Sequence, residues 1–357
     1  MPRALFNVQP TRNAAPIRRS GTANAVGPQA IHTDRTSASN PAEAAFEALH
    51  CARRYPFAAA RLHRGDVMVL TRSFVRAKRP CTDGFRWFVR QFNDGGHYQE
   101  LLDQMVAAGR VGDACWLLEQ FGPTDEVREV DAIDAEAIVF SGTLRVRGGV
   151  EVDGIVRVGR TLQAGGGLRV GGELIVGEDA RIEGAVRAEG RIEIGGDLRA
   201  GWGVDCAGDL HCRGEARIGW DLRCAGRLRL DGNTFVGLDL HGQDDIRCGK
   251  GLQVGGDIVA ESSLRAEQGI TAGGSIEAAL HLEAGWGIKA DAVVAAGGAI
   301  RAGEGLHAGE AIRAGDGYGV FAGLGVHMEA WEASARVSAT HKPAGLMSGW
   351  WAGPAAC

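Results

Sequence analysis

The chain has 357 residues, of which 45% are apolar and 55 are glycine, and its formal net charge is −5. This apolar content excludes a wholly disordered chain, and glycine without a period of three excludes collagen. A membrane span would need about 18 consecutive apolar residues, and a standard secretory signal would need an apolar segment near the start. The sequence contains neither.

Positive charge is concentrated at the start of the chain. Residues 1–80 carry thirteen Lys and Arg against four acids, so the remainder is strongly acidic. Residues 1–41 are rich in Ala, Ser, Thr, Asn, Pro and Arg, a composition that predicts a disordered leader. A basic arm of this kind predicts contact with nucleic acid, with an anionic lipid or with the acidic body of the chain itself. We expect a cytoplasmic protein, and the alternative is export without a cleaved signal peptide.

Residues 42–130 predict a small helical domain that includes the basic segment 53–79. Thr82 or Asp83 is the expected N-cap of its first helix. Apolar residues recur at helical spacing in three stretches, which are 85–92, 101–106 and 111–121.

A six-residue repeat begins at Ile138 and continues to Ile312. Every sixth residue in this range is apolar except Thr234, which gives 30 hexads without an insertion. Two places after each of these residues stands another small or apolar residue, and the residue between them is usually charged or polar. Glycine commonly fills the next two places, as at Gly195 and Gly196. The repeat therefore dominates half of the chain.

Each hexad predicts a strand of three residues, two pointing inward and one outward, followed by a sharp turn. Three such strands per coil build a triangular β-solenoid, so the fold class is mainly β with a small N-terminal helical domain. Residues 131–316 would form about ten coils, each stabilised by its neighbours. Exposed strand edges at the two ends require caps. The helical domain and residues 317–357 are the expected N- and C-terminal caps.

Four of the eight cysteines fall in the inward columns of this solenoid. One coil corresponds to three hexads, and this step places Cys206 beside Cys224, and Cys212 and Cys248 on either side of Leu230. A metal ladder or a redox pair is the functional interpretation. We favour cysteine as a small apolar filler, because no inward histidine or acid accompanies these residues. The lack of any C-x-x-C pair fits a reducing compartment.

The phrases GTLRVRGGVEVDGIVRVG (142–159) and GAVRAEGRIEIGGDLRAG (184–201) resemble the β-helical core of bactofilins. These are bacterial proteins whose right-handed β-helices polymerise into filaments. The resemblance covers about residues 138–316 and implies a right-handed coil and self-association. The helical region before residue 130 and the aromatic tail after 317 depart from the bactofilin pattern. Hexapeptide acyltransferases are less similar, because here the bulky residue of each hexad precedes the small one.

Catalytic signals are sparse. The H-E-x-x-H, G-x-S-x-G and G-x-x-x-x-G-K-[ST] motifs do not occur. In the helical domain, Cys81, Asp83, His97 and Asp113 are the candidates for a cysteine-based site, but Cys115 follows the apolar spacing of a helix and Cys81 merely precedes the expected cap. We predict no catalytic residue, no cofactor and no metal.

The outward positions suggest a binding surface. Arg181, Arg199 and Arg217 are each separated by three hexads and so form a column. At the turn position three residues after the last two stand Trp202 and Trp220, with Leu238 next. Arginine and tryptophan dominate protein interfaces, and an exposed aromatic column invites a partner. The alternative is that the indole rings lie flat over the glycine turns of neighbouring coils, or pack on the C-terminal cap or the helical domain. The predicted partner-binding residues are Arg181, Arg199, Trp202, Arg217, Trp220 and Leu238.

These observations lead to a non-enzymatic structural or interaction protein. In this hypothesis a β-helical scaffold presents a helical head and binds a protein partner or self-associates. The alternative is a bacterial secreted effector or toxin-like protein, whose activity would lie in the helical domain with the β-helix as its platform.

Overall fold

The computed structural model describes residues 61–63, 68–93 and 95–354. The predicted leader and most of the basic segment 1–80 lie outside the described residues. The helices are Arg72–Ala77 (α1), Thr82–Phe92 (α2), Tyr98–Ala107 (α3), Val111–Phe121 (α4) and Trp331–Ser334 (α5), and a 3₁₀ turn spans Met328–Ala330.

The remaining described elements are strands, most of them three residues long. In chain order they are Arg61–His63 (β1), Val69–Thr71 (β2), Gly95–His97 (β3), Val127–Val130 (β4), Ile133–Ala135 (β5), Ile138–Phe140 (β6), Thr143–Val146 (β7), Val150–Val152 (β8), Val156–Val158 (β9), Leu162–Ala164 (β10), Leu168–Val170 (β11), Leu174–Val176 (β12), Ala180–Ile182 (β13), Val186–Ala188 (β14), Ile192–Ile194 (β15), Leu198–Ala200 (β16), Val204–Cys206 (β17), Leu210–Cys212 (β18), Ala216–Ile218 (β19) and Leu222–Cys224 (β20). They continue with Leu228–Leu230 (β21), Thr234–Val236 (β22), Leu240–Gly242 (β23), Ile246–Cys248 (β24), Leu252–Val254 (β25), Ile258–Ala260 (β26), Leu264–Ala266 (β27), Ile270–Ala272 (β28), Ile276–Ala278 (β29), Leu282–Ala284 (β30), Ile288–Ala290 (β31), Val294–Ala296 (β32), Ile300–Ala302 (β33), Leu306–Ala308 (β34), Ile312–Arg313 (β35), Val320–Phe321 (β36), Arg336–Ser338 (β37), Leu346–Ser348 (β38) and Trp350–Gly353 (β39).

β2 and β3 form a separate antiparallel pair. The other strands form a β-solenoid with three sheets, in which every pairing is parallel except that of β1 with β4. Sheet 1 has 14 strands and runs from β1 through β4, β7 and every third strand to β34, then β37 and β39. Sheet 2 has 11 strands, from β5 to β35, and sheet 3 has 12, from β6 to β33 and then β36 and β38. In the regular coils, neighbours in a sheet are separated by three hexads, as in the pairing of Leu168 with Val186. The predicted fold class is therefore confirmed.

The alternation of side chains explains why each hexad becomes a strand. In β11, Leu168 and Val170 are buried while Arg169 between them is exposed. The same pattern repeats from coil to coil, and the buried side chains join into one continuous apolar core. Removing this apolar surface from water is what favours the coil.

The solenoid has about 13 turns, so the expected number of about ten was too low. The missing turns lie at the two ends, where the six-residue phrase is broken. At the start, β4 pairs in parallel with β7 but places Arg128 opposite Leu144. At the other end, residues beyond 317 add four strands to the sheets, with register shifts in β36 and β37. Coils therefore continue on both sides of the range 131–316.

Close approach between coils explains the glycine that follows many strands. Gly195 donates its backbone N–H to the Val176 carbonyl of the preceding coil, at 2.9 Å. A Cβ atom on Gly195 would lie 2.0 Å from the Gly177 carbonyl oxygen. The glycines with a positive φ in the described chain all lie outside the regular coils, and Gly195 is not one of them. A side chain is excluded here by the coil beneath and not by the backbone conformation.

The helical unit has a core of its own, in which Phe88, Leu101 and Leu117 are almost fully buried. Four helices are present between residues 72 and 121, one more than expected. The N-cap of α2 is Cys81 and not Thr82 or Asp83. Its sulfur accepts a hydrogen bond from the Gly84 backbone N–H at 3.2 Å.

This helical unit covers the N-terminal end of the solenoid. The Gln99 side chain acts like one more strand beside β6, because it donates to the Val139 carbonyl (3.1 Å) and accepts from the Ser141 N–H (2.8 Å). Arg128 occupies the first position of an inward column, stacks over the Phe140 ring at 4.8 Å and pairs with Asp103 of α3 at 3.1 Å. β1 pairs antiparallel with β4 and covers the edge of sheet 1. Strand edges that would otherwise invite pairing are thus occupied.

Candidate interaction surface

Trp202, Trp220 and Leu238 form a ridge along one corner of the solenoid, which we call the corner ridge. Each lies in the turn that leads from a strand of sheet 1 to a strand of sheet 2, and the three side chains are 53%, 52% and 50% exposed. The two indole rings are stacked, with centroids 5.3 Å apart and planes within 6° of parallel. The two rings therefore lie face to face, one coil apart, with about half of each side chain accessible to solvent.

The backbone of the coils fixes the spacing of this ridge. The Trp220 N–H donates to the Trp202 carbonyl at 3.3 Å, and the Leu238 N–H donates to the Trp220 carbonyl at 3.2 Å. Because each turn is held by the turn before it, the corner ridge is preorganised. An aromatic group held in place before binding loses little freedom when a partner arrives.

The predicted arginine column is present on the adjoining face of sheet 1, where Arg181, Arg199 and Arg217 are direct neighbours in register. Each of them is already paired with an acid two residues earlier. Arg181 lies 3.1 Å from Asp179, Arg199 lies 4.0 Å from Asp197, and Arg217 pairs with Glu215. Arg217 also stacks over the ring of Phe235, at 4.9 Å. This column is thus a row of ion pairs and not bare positive charge.

The acidic residues of the turns have a structural role that spacing did not suggest. Asp179 accepts a hydrogen bond from the Asp197 backbone N–H one coil later (3.0 Å), and Asp197 accepts one from the Glu215 N–H (2.9 Å). The same bond runs from Asp257 N–H to Asp239, at 2.9 Å. The carboxylates therefore tie successive coils together as well as neutralising the arginines. The sequence did carry a signal for these hydrogen bonds, because an Asp directly precedes the inward aliphatic residue of several hexads, as Asp197 precedes Leu198.

An open groove lies beside the corner ridge, on the outer face of sheet 2. It has a volume of about 670 Å³ and runs alongside Trp202 and Trp220 as well as the coils before them. Its floor contains turn residues of the three preceding coils, namely Gly149, Gly167 and Ala185.

The interior cysteines lie where the three-hexad step predicts. Cys206 is in register with Cys224, and Leu230 separates Cys212 from Cys248. The Cys212 thiol donates to the Gly196 carbonyl at 3.3 Å, and burial raises the pKa of this thiol to about 11. A protonated thiol bonded to backbone is a poor metal ligand. In the described part of the chain, no group of three or more His, Cys, Asp or Glu side chains is placed to hold a metal ion.

The four residues considered for a cysteine-based site are only partly brought together. The Cys81 sulfur lies 3.8 Å from the Asp113 carboxylate. Asp113 is held by Arg110 in the same helical turn, and Asp83 pairs with Arg86 on the exposed face of α2. His97 is the N-cap residue of α3 and makes no side-chain cap bond there. This arrangement explains helix capping better than it explains catalysis.

Comparison with known proteins identifies only the helical unit. Residues 68–121 match the family described as the YdhT N-terminal domain. No curated protein and no solved structure matches the chain. Within the described residues, no helix is long and apolar enough to cross a membrane. The family match covers the head that is docked on the solenoid and leaves the repeats unassigned.

Proposed function

We propose that this chain is a non-enzymatic scaffold. Its β-solenoid presents the helical head and binds a protein partner, or a second copy of the chain, through the corner ridge. The observation that carries the proposal is the pair of parallel indole rings, each about half exposed on a rigid ladder. Burying such rings in an interface is strongly favourable, and the ladder holds them ready for it.

The surroundings of the ridge support the same function. Arg181, Arg199 and Arg217 provide a polar, ion-paired face beside an apolar edge. An apolar centre with a polar rim is the usual anatomy of a protein interface. The bactofilin-like repeats are consistent with a self-associating scaffold.

The test is capture by the full chain. We expect Trp202→Ala combined with Trp220→Ala to abolish the capture of bound proteins from a cell extract while leaving the melting temperature unchanged. The matched control is Trp286→Ala, because Trp286 is equally exposed, at 52%, on another corner. Equal capture by the double variant and the wild type would refute a role for the corner ridge.

Electron microscopy tests the scaffold itself. At an inter-strand spacing of about 4.8 Å, thirteen turns give a rod of roughly 60 Å. Filaments much longer than this would favour a polymer, as in bactofilins. Discrete rods would favour a scaffold of one or a few chains.

A second candidate is an effector whose activity lies in the helical unit, which contains the residues 68–121 that match the YdhT N-terminal domain family, and whose solenoid is the platform. Deleting the head would expose β6 and Arg128, so surface substitutions in the full chain are the better test. Phe74 is 54% exposed on the head. If Phe74→Ser abolishes activity in cells while the Trp202→Ala and Trp220→Ala variant retains it, the effector is favoured over the scaffold.

A further inference from the structure

The first helix of the head and the two residues after it carry four cations within eight residues. All four are exposed, and we call them the α1 patch: Arg72, Arg76, Lys78 and Arg79. No acidic residue stands between Asp66 and Asp83, so this stretch of chain has no negative charge of its own. Arg72 and Arg76 are one helical turn apart and so lie on the same side of α1.

The cations of the α1 patch differ from many cations of the solenoid in having no acidic partner. Along the coils, exposed arginines are commonly paired with carboxylates, as Arg223 is with Asp221 at 2.8 Å. Within the described residues, no carboxylate lies within ion-pair distance of the α1 patch. Glu119 of the neighbouring helix α4 is bound instead by Arg157 of the solenoid, at 3.0 Å. The positive charge of the α1 patch is therefore uncompensated.

Stabilisation of the helix does not explain this charge. A cation is favourable at the C-terminal end of a helix and unfavourable at its N-terminal end. Arg76 lies in the last turn of α1, but Arg72 occupies its first position. The α1 patch therefore points to a partner with negative charge.

Two apolar side chains are exposed next to the α1 patch in the chain. Phe74 lies within α1 and Val69 lies in β2 just before it, and both are 54% exposed. The Phe74 ring also packs on Phe121 of α4, with centroids 5.6 Å apart, so the head holds it at the surface. Cations and exposed apolar side chains on one short element are the combination that binds a membrane interface.

The head docks on the solenoid through other elements. The main helix contacts with β6 are made by α3 and α4. In α1 the one buried residue is Val75, which belongs to the core of the head, and the other residues are exposed. α1 is thus available to a partner without any movement of the head.

We propose that α1 docks the head on a membrane surface rich in anionic lipid. The α1 patch binds the lipid phosphates, while Phe74 and Val69 enter the boundary between headgroups and acyl chains. This inference goes beyond the proposed function, because it gives the head a partner of its own and does not use the corner ridge.

The exposed apolar side chains favour a lipid over a nucleic acid. Both partners offer phosphate groups to the α1 patch. A nucleic acid would leave Val69 without an apolar contact, whereas acyl chains cover Val69 and Phe74 together. The acidic remainder of the chain is repelled by an anionic surface, which confines the contact to the head.

Co-sedimentation of the full chain with lipid vesicles tests the docking. We expect binding to vesicles of equal parts phosphatidylglycerol and phosphatidylcholine, weaker binding at high salt, and no binding to phosphatidylcholine alone. Each cation near an anionic surface strengthens binding about fivefold. Arg72→Gln with Arg76→Gln should therefore weaken binding about 25-fold, and Lys78→Gln with Arg79→Gln is an independent pair that should act similarly.

The matched control removes the same charge from the solenoid. Arg169 and Arg313 are exposed on sheet 2, and neither has an acidic partner among the residues that the structure describes. Arg169→Gln with Arg313→Gln should bind vesicles like the wild type. Phe74→Ser keeps every cation and should weaken binding about fivefold, because the exposed half of the ring is no longer buried in lipid.

The exposed Cys81 reports which surface touches the membrane. It lies two residues beyond the α1 patch. An environment-sensitive dye on Cys81 should brighten when the chain binds anionic vesicles. The same dye on Arg223→Cys should not, because Arg223 is exposed on sheet 2. That second chain also carries Cys81→Ser, which keeps a capping side chain on α2.

Several results would overturn the membrane contact. They are a wild type that binds both kinds of vesicle equally or binds neither, an α1 double variant that binds like the wild type, a solenoid control that is equally impaired, or a dye on Cys81 that does not respond to vesicles that bind the chain. A chain that binds duplex DNA and ignores the vesicles would also overturn it and assign the α1 patch to nucleic acid.

The proposed function has a separate outcome. Trp202→Ala with Trp220→Ala should bind vesicles normally, because the corner ridge is not part of the membrane contact. A wild type that ignores vesicles but loses a captured protein through this double variant would overturn the membrane contact and leave the scaffold standing.

Discussion

Thr234 is the one polar residue among the inward hexad positions, and replacing it with valine should stabilise the protein. It lies in β22 between Ala216 and Leu252 of the neighbouring coils and is 1% exposed. In the described structure its hydroxyl has no hydrogen-bond partner of normal geometry. The Cys248 thiol interacts with it, but a thiol is a weak partner.

The magnitude follows from the burial. A buried hydroxyl without a hydrogen bond costs about 1–3 kcal/mol in protein mutants, and valine has nearly the shape of threonine. Thr234→Val should therefore raise the free energy of unfolding by about 1–3 kcal/mol. In a chain of this size each kcal/mol corresponds to roughly 1–2 °C in melting temperature.

Urea and thermal unfolding, followed by circular dichroism, measure the change. Thr234→Ser is the control, because it keeps the hydroxyl and loses a buried methyl group, and it should be less stable than the wild type. If Thr234→Val is no more stable than the wild type, the hydroxyl is satisfied in solution and the reasoning fails.

Three further predictions concern the core, the junction and the thiols. Ile276→Asp places a carboxylate in a fully buried column, so it should unfold the neighbouring coils and lower the melting temperature sharply. Glu277→Lys on the exposed side of the same strand is the control and should leave the melting temperature unchanged. An unchanged melting temperature for Ile276→Asp would contradict the register. Burial raises the pKa of Asp103 above its ordinary 3.8, and Arg128 offsets this only in part, so the folded state holds this proton more tightly than the unfolded state. The stability that this proton contributes is present at low pH and is lost as the pH rises through the raised pKa. The free energy of unfolding of the wild type should therefore fall relative to that of Asp103→Asn between about pH 4 and pH 7. A difference between the two proteins that stays constant with pH would refute this prediction. A thiol reagent applied to the native protein, with labelled sites read by peptide mass spectrometry, should modify the exposed Cys81 rapidly. Four buried cysteines should stay unmodified until the protein unfolds, namely Cys206, Cys212, Cys224 and Cys248. Early modification of these four would mean that the coils open locally.

The sequence predicted the caps and contacts of the helical unit less well than it predicted the solenoid. Helical spacing located the apolar stretches, but it placed the first cap at Thr82 or Asp83, whereas the Cys81 sulfur binds the Gly84 N–H. Sulfur is an uncommon capping group, so preferences for Ser, Thr, Asp and Asn pointed one residue too far along. The roles of Gln99 and Arg128 had no signal in the sequence, because each depends on a contact between the head and the first coil.

The surface was predicted in position but not in chemistry. The three-hexad step placed Trp202 beside Trp220 and set the three arginines in one column, and both placements are present in the structure. Spacing did not show that every arginine of the column has an acid partner, nor that Asp197 and its equivalents bind the backbone of the next coil. Those bonds depend on side-chain rotamers across two coils.

The sequence by itself determined the solenoid, because a six-residue repeat with two inward side chains forces each coil into register with the next. Once the register is set, every column follows from arithmetic on residue numbers. Only the tertiary structure decided what happens where the repeat stops. Two such contacts join segments whose spacing is irregular: the pairing of Asp103 with Arg128, and the strand-like hydrogen bonds of Gln99. A repeat carries its own geometry, whereas contacts between non-repeating segments depend on how whole elements dock.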